Sequence, residues 1–576
     1  MSQAAFWATV VLLGGGLGLL LAGRVTRASP GRDRVLAWTA LGLGLAAGLP
    51  FLLWRSGPPE FALGQWTLAG NWRISLSWRF DLLSQALALP AGISALLFLL
   101  WLAVGSSGEE RRQAPWVLLL LALFLTLLGS ADLLLAYAVW EVWVLAAYGL
   151  LVSPRPRLAV PGVAEWYLGT QHAAGYFFLA ALLLVGQAGT LEHGRLGIGA
   201  VGAAALLLVA GAAWIRTAQV PFQNWATAAA GAAGATGLML IGNGGLLAGP
   251  YLWLRLLPKA VEAWPGEVLL IGGSVSLVGN AALALRQRGA GPIQAVDSAA
   301  RLALIWMALG LGGPWGIGAG WILALDLLLS KAVFYPALTG LGLGKEARQG
   351  LFALGVWQAA GLPPSLGFVG RWLLVLGMIE AGRWVYLPVV LLATPLLLAC
   401  HWRARTLLPR MEEPASRPAA VRWGALVVAA LVTVAGATVP WLWQPLLEPA
   451  AVVVLGREAV EVRPALEALL SWLPAWGVGL GMIGILGAWW GGVLRRRAVA
   501  RPAAMPLWDT LPVLPDEAAW PAWPAQPVPV YRFLGRLAGR AANAAGRLVN
   551  FLERHTTYFL LVMLFIALAV VVVLTR

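Results

Sequence analysis

Four ionisable side chains lie inside long apolar stretches. A charge there costs about 2.5–3.5 kcal/mol on insertion scales, and it marks an ion route unless it is paired or close to a surface. Glu141 stands in the middle of LLLAYAVWEVWVLAAYGLL, with no other charge within eight residues on either side. Arg216 closes LLLVAGAAWIR and is followed by TAQVPFQNW. Pro221 removes a backbone donor in that stretch and predicts a break in the helix. Lys331 lies in LALDLLLSKAVFYPALTG, a run that Pro336 is expected to interrupt. Arg371 follows AAGLPPSLGFVG, whose Pro363, Pro364, Gly367 and Gly370 predict a second broken helix. A buried lysine is the cation able to hold and release a proton at neutral pH. Broken helices expose backbone dipoles at mid-depth, where an ion route can use them. The chemistry these residues could do is therefore proton or ion movement. Asp326, five residues before Lys331, is off the lysine's helical face and is not its local partner. The plain alternatives are a structural ion pair at Glu141 and an arginine at Arg216 reaching for the surface.

The elements that must hold these groups are membrane helices. Of the 576 residues, 60% are hydrophobic and 11% charged, and the mean hydropathy is +0.79. Soluble domains carry roughly 45–50% apolar and about 25% charged residues. Soluble enzyme, disordered scaffold and secreted disulfide module are excluded on that ground. At about 20 residues per span, the chain supplies on the order of 14–16 spans. Apolar runs bounded by Gly, Pro or charge fall near 4–22, 36–54, 82–104, 115–129, 132–153, 166–188, 199–230, 235–256, 265–285, 295–312, 316–342, 351–381, 386–404, 422–445, 471–493 and 556–575. Segment 60–81 alternates apolar and polar residues around Ala69-Gly70-Asn71 and predicts an outer β-hairpin. Beyond it the chain divides into 1–153 with this hairpin, 154–285 and 286–445 with one broken helix each, and an extension 446–576. The extension holds two spans, a Pro- and Trp-rich stretch 500–530 and an amphipathic helix 531–550 marked by Arg532, Arg536 and Arg540.

The net charge of +15 reflects 40 Lys and Arg against 25 Asp and Glu. It is read as basic cytoplasmic loops rather than as a nucleic-acid surface. Those loops are 23–35, 105–114, 154–164, 286–291, 343–350, 405–421 and 494–555, which places both termini on the outer, periplasmic face of the plasma membrane. The first apolar run has no basic segment before it and is not read as a cleavable signal. The lysines are Lys259, Lys331 and Lys345; the single Cys400 excludes an internal disulfide. His172, His193, His401 and His555 show no metal-ligand spacing, so no metal is expected. No nucleotide-binding glycine loop, flavin motif or cluster-ligand set is present, so no cofactor and no catalytic site are expected in this chain.

At these residues the chain resembles the antiporter-like membrane subunits of respiratory complex I, group 4 membrane-bound hydrogenases, formate hydrogenlyase and multi-subunit cation/proton antiporters. AYAVWEVWVLAAYGLLV is similar to the family's fifth helix, whose glutamate maps to Glu141. IRTAQVPFQNW is similar to the broken seventh helix, with Arg216 where the family has lysine. SKAVFYPALTG resembles the eleventh helix and keeps Lys331, and GLPPSLGFVGRW resembles the broken twelfth, with Arg371 in place of lysine or glutamate. WRFDLLSQ matches the approach to the third helix. The resemblance runs from about residue 1 to 445. It implies an all-α polytopic fold of about 14 helices with inverted repeats, plus about two C-terminal spans.

The resemblance further implies a proton pathway through Glu141, Arg216, Lys331 and Arg371, with His172, Asp297, Arg301 and Asp326 as secondary candidates, and a switchable pair between Glu141 and Arg216. Guanidinium does not deprotonate in proteins, so Arg216 and Arg371 can bias neighbours without carrying the proton. The eighth-helix lysine position reads Leu247, with no carboxylate, lysine or histidine from Asn243 to Trp253. The histidine expected four residues before Lys331 is Leu327, and the region of Asp297 and Arg301 lacks one as well. The expected function is proton translocation in the membrane arm of a complex-I-like assembly, with other membrane-arm subunits, the bilayer and protons (or sodium) as partners and no nucleic acid. The alternatives are a non-pumping scaffold subunit, and a cation/proton antiporter or inorganic-carbon uptake subunit.

Overall fold

The computed structural model describes residues 2–26, 29–53, 60–67, 73–105, 108–152, 163–197, 199–233, 244–259, 265–287, 289–339, 345–406, 419–439 and 452–454. The runs 471–493 and 556–575, the stretch 500–530, the helix 531–550 and His555 lie outside the described residues. The chain opens with α1 (Ser2–Val25) and α2 (Pro30–Leu53), followed by strands β1 (Glu60–Thr67) and β2 (Arg73–Arg79). Then come α3 (Leu82–Gly105), the single turn α4 (Gly108–Arg111), α5 (Ala114–Gly129), α6 (Leu133–Val152) and α7 (Val163–Gly186). They are followed by α8 (Ala203–Arg216), α9 (Asn224–Ala233), α10 (Ala248–Leu256), α11 (Pro265–Arg286), α12 (Ala290–Leu311) and α13 (Gly313–Thr339). Among the described residues these are followed by α14 (Lys345–Ala359), α15 (Leu366–Glu380), α16 (Leu387–Thr406) and α17 (Ala419–Val434).

Among the described residues, α1, α3, α6, α7, α11, α12, α13 and α16 are long and apolar enough to cross a bilayer. The sixteen apolar runs exceed this number partly because runs 199–230 and 351–381 each divide into two short helices, α8/α9 and α14/α15. The two strands pair antiparallel, Glu60 opposite Arg79 and Thr67 opposite Arg73, with a bulge between Ala62 and Gly64. Helices α12 and α13 pack together at the centre, flanked by α3, α9, α11, α14, α15 and α16. Both are buried on nearly every side, their polar and charged residues included.

Backbone without a helical partner is tolerated at membrane depth only where protein groups satisfy it. In the first break, residues 217–223, side chains take over that task. Thr217 Oγ1 donates to the Ala213 carbonyl (2.7 Å), Trp214 Nε1 to Val220 (3.0 Å) and Trp225 Nε1 to Ile215 (3.1 Å). Ser276 Oγ of α11 accepts from the Val220 amide, and Gln219 Nε2 donates to Ala299 of α12. In the second break, residues 360–365, Trp357 Nε1 donates to the Pro363 carbonyl at 2.9 Å. Ser365 caps α15 by accepting from the Phe368 amide. Gly367 therefore lies in the first turn of α15, just past the break.

Pro336 behaves differently from expectation: α13 runs through it to Thr339 without interruption. A proline inside a helix frees the carbonyl four residues earlier, here Ala332. Trp101 of α3 donates its indole Nε1 to that oxygen at 3.3 Å. The neighbouring helix supplies the missing donor, so the helix continues.

Candidate functional site

Two clusters of ionisable groups sit at the two breaks. In the first, α6 and α7 bring Glu141 and His172 together, with Oε2 and Nδ1 2.7 Å apart. Glu141 lies against α7 at Gly175, where any Cβ would collide with Oε1. Arg216 ends α8 and is almost fully buried, and no hydrogen bond or ion pair joins it to Glu141 among the described residues. Its guanidinium lies over the rings of Trp140 and Trp143, 3.9 and 4.3 Å from their centroids, and its Nε donates to the Gly245 carbonyl at 3.0 Å. The Glu141–Arg216 pair implied by the resemblance is therefore replaced here by Glu141–His172. The physical reason is local: the tryptophans flanking Glu141 offer two ring faces, each worth about 2 kcal/mol to a desolvated cation. Glu141 Oε1, both Arg216 Nη atoms, Tyr167 Oη, Thr170 Oγ1 and the Gln171 amide are buried and lack a hydrogen-bond partner among the described residues. Tyr167, Thr170 and Gln171 recur on one face of α7, so these atoms line one stripe.

The second cluster is centred on Asp297 of α12, which is fully buried. Its Oδ2 accepts from Lys331 Nζ of α13 at 2.7 Å, and its Oδ1 lies 3.1 Å from His401 Nε2 of α16. Arg301 Nη1, one turn along α12, is 3.8 Å from Oδ2 and donates to Ser330 Oγ at 2.6 Å. Its Nη2 pairs with Asp326. Lys331 also donates to the main-chain oxygen and to Oε1 of Gln294, at 2.9 and 3.0 Å. Asp326 lies against Gly367 at the second break. There Arg371 donates to the carbonyls of Ala359 and Ala360, the free end of α14. Gly361, with φ +65°, leaves room for this: a Cβ there would lie 2.6 Å from Arg371 Nη1.

The structure thus gathers Asp297, Arg301, Asp326 and Lys331 into one network reaching the break that holds Arg371. Glu141, His172 and Arg216 lie together at the other break, and Leu247 is a buried core residue beside it. His401 and Gln294 were missed as site residues. A histidine inside LLATPLLLACHWRA was the available signal, but spacing within one helix cannot show that α16 delivers it to α12 and α13.

A third polar corner lies under the hairpin, at the ends of the spans. Arg255 of α10 forms a two-pronged pair with Asp81, 2.5 Å on each side, and also contacts Ser84 and Tyr251. Burial opposes charge on Asp81, yet hydrogen bonds and charge from Arg255 hold its carboxyl below the usual carboxylate range. Burial, and then the charges of Arg255 and Arg79, push the His193 imidazole down to about 3, so it is neutral near pH 7. Burial, and then the adjacent Glu60, push the Glu192 carboxyl up. Burial raises Asp132 as well, against the amides of Ser75 and Leu134 that hydrogen-bond to it.

Comparison with known proteins decides the family. Residues 130–343, which hold Glu141, Arg216, Lys331 and most of both clusters, match the family described as NADH:quinone oxidoreductase/Mrp antiporter, TM. NADH-quinone oxidoreductase subunit 14 of Thermus thermophilus is 31% identical over 404 residues, covering 67% of this chain and 88% of the relative. The chain belongs to this family of antiporter-like membrane subunits. A chain of the archaeal membrane-bound sulfane sulfur reductase shares the fold at TM-score 0.67 and 18% identity, over 80% of this chain and 99% of its own length. A chain of the Mrp complex from Dietzia sp. does so at TM-score 0.66 and 20% identity, over 81% and 99%. This is an antiporter-like membrane-arm subunit, polytopic and membrane-embedded.

Proposed function

We propose that this subunit moves protons across the membrane inside a complex-I-like assembly, with Lys331 as the group that takes up and releases the proton. The observation that carries this reading is the burial of Lys331 against Asp297 in a network that reaches a broken helix. Such a network is costly to bury, and intramembrane ionisable groups mark ion routes. Glu141 takes part as the switchable acid of the first half, while Arg216 and Arg371 act as fixed charges that bias it and Lys331. Water bridging the unpartnered polar stripe of Tyr167, Thr170, Gln171 and Arg216 would connect the first break to solvent.

The Glu141 and His172 side chains are 21% and 34% exposed, on a flank that also exposes Val142, Leu145 and Tyr176. Ionisable side chains facing lipid are costly, which favours a neighbouring membrane-arm subunit covering this flank. The arginine-rich loops favour an orientation with both termini on the outer face.

The test is proton uptake by vesicles carrying the whole complex, comparing the unaltered subunit with Glu141→Gln and Lys331→Ala. Loss of uptake per turnover in both supports the proposal, and unchanged uptake in both overturns it. A sodium requirement would move the assignment to cation/proton antiport. A second reading, a non-pumping scaffold, is favoured by one observation: the arginines at the family's seventh-helix lysine position and twelfth-helix lysine-or-glutamate position are engaged with backbone carbonyls. Unchanged uptake together with failure of assembly on Arg371→Met would select it.

A further inference from the structure

The Lys331 cluster contains a histidine delivered by a helix outside the two broken ones. His401 of α16 is fully buried, with its ring stacked on Phe334 at 5.2 Å between centroids. Two groups bridge it to Lys331. The Asp297 carboxylate spends one oxygen on each base, Oδ2 on Lys331 Nζ (2.7 Å) and Oδ1 on His401 Nε2 (3.1 Å). The Gln294 amide does the same with opposite polarity. Its Oε1 accepts from Lys331 Nζ at 3.0 Å, while its Nε2 lies 3.1 Å from His401 Nδ1.

These contacts tie the protonation pattern to the orientation of the Gln294 amide. An amide N–H facing His401 Nδ1 requires that nitrogen to accept, so the ring proton sits on Nε2 and is donated to Asp297. His401 is then neutral while Lys331 is an ammonium. Were both bases charged, Nδ1–H would point at the amide N–H, donor against donor. Turning the amide by half a rotation gives the other consistent arrangement: Oε1 accepts from a charged His401, and Nε2 donates to the lone pair of a neutral Lys331. In both arrangements the amide oxygen faces a donor and one amide N–H faces an acceptor, and both carry the same net charge. A buried cluster can therefore change between them without adding a charge to the apolar core, which would be the costly step.

We propose that His401 and Lys331 form a single proton-exchanging pair in which Gln294 permits one charged base at a time. This deepens the proposed proton-carrying role of Lys331 and rests on that reading for its consequence, though not for its geometry. Water-borne H⁺ binds His401 Nδ1 and forms its N–H bond, one Nζ–H bond of Lys331 breaks, and that proton leaves on water. Asp297 remains a carboxylate throughout. The ionisable groups near His401 among the described residues are Asp297 and Arg301 of α12 and Lys331 of α13.

The experiment is nitrogen-15 NMR of the intact complex labelled at histidine, with the His401 signal identified by its loss in His401→Gln. In the unaltered complex at pH 7 the account expects neutral His401 protonated on Nε2. In Lys331→Met, which empties the other half of the pair, it expects His401 to become imidazolium. In Gln294→Met, which removes the exclusion, it expects a mixed population while Lys331 remains. A neutral His401 in all three, or one protonated on Nδ1 in the unaltered complex, overturns the pair. This readout is independent of pumping. If His401 behaves as described and Lys331→Met pumps normally, the translocation reading fails and the pair stands; a static His401 with pumping lost gives the converse.

Discussion

Around Glu141 the charges are loosely held, and around Asp297 they are saturated. Glu141 has one hydrogen-bonded partner, His172, leaves Oε1 without one among the described residues, and sits on a partly exposed flank. Arg216 beside it is stabilised mostly by aromatic faces. Asp297 meets Lys331, His401 and Arg301, and Arg301 continues to Asp326. The two halves therefore suit different tasks. A loosely partnered acid at an edge can respond to a neighbour, whereas a closed network holds its charge count fixed and moves protons by exchange.

The largest effect expected from this contrast is on stability. Asp297→Asn leaves Lys331 and Arg301 buried without their shared carboxylate, and breaking a buried pair costs about 3–5 kcal/mol. Glu141→Gln keeps a hydrogen-bonding group opposite His172 and is expected to cost under about 1 kcal/mol. Thermal unfolding of the detergent-solubilised complex measures both. Similar losses in the two variants would erase the contrast between the clusters.

A smaller effect belongs to the corner under the hairpin. The His193 pKa is depressed to about 3 from the usual 6.5, so its contribution to stability is present above pH 6.5 and is lost as pH falls toward 3. That amounts to about 2 kcal/mol at most between pH 6.5 and 5. Glu192 and Asp132, with raised values, act in the opposite sense, favouring the fold at low pH and losing that benefit as pH rises. Backbone hydrogen exchange at residues 191–196, corrected for intrinsic rate, should speed up on acidification, and His193→Gln should remove that response. Equal exchange at both pH values would contradict it.

The smallest effect tests the unbroken α13. Trp101→Phe withdraws the donor to the Ala332 carbonyl and should cost about 1 kcal/mol. It should be visible as faster hydrogen exchange confined to residues 332–339. No local change would mean that the helix tolerates Pro336 by other means.

Much of this architecture is legible in the sequence because membrane helices are written in runs of apolar residues, and charges within them stand out. The two breaks at 217–223 and 360–365 were legible for the same reason: proline cannot donate, and nothing in lipid replaces the lost bond. Partners across helices were not. The sequence shows that Asp326 is off the Lys331 face, but only packing reveals that Asp297 faces Lys331 and that Asp326 faces Arg301. The same holds for Trp101 on Ala332, for His401 on Asp297, and for the tryptophan faces that draw Arg216 away from Glu141. Each joins helices far apart in the chain, and no local spacing encodes it.

Lys331→Arg tests the central claim most directly, because arginine keeps the charge beside Asp297 and cannot release a proton. In the assembled complex reconstituted in vesicles, the account predicts normal assembly with reduced proton translocation per turnover. Translocation equal to that of the unaltered complex would contradict it.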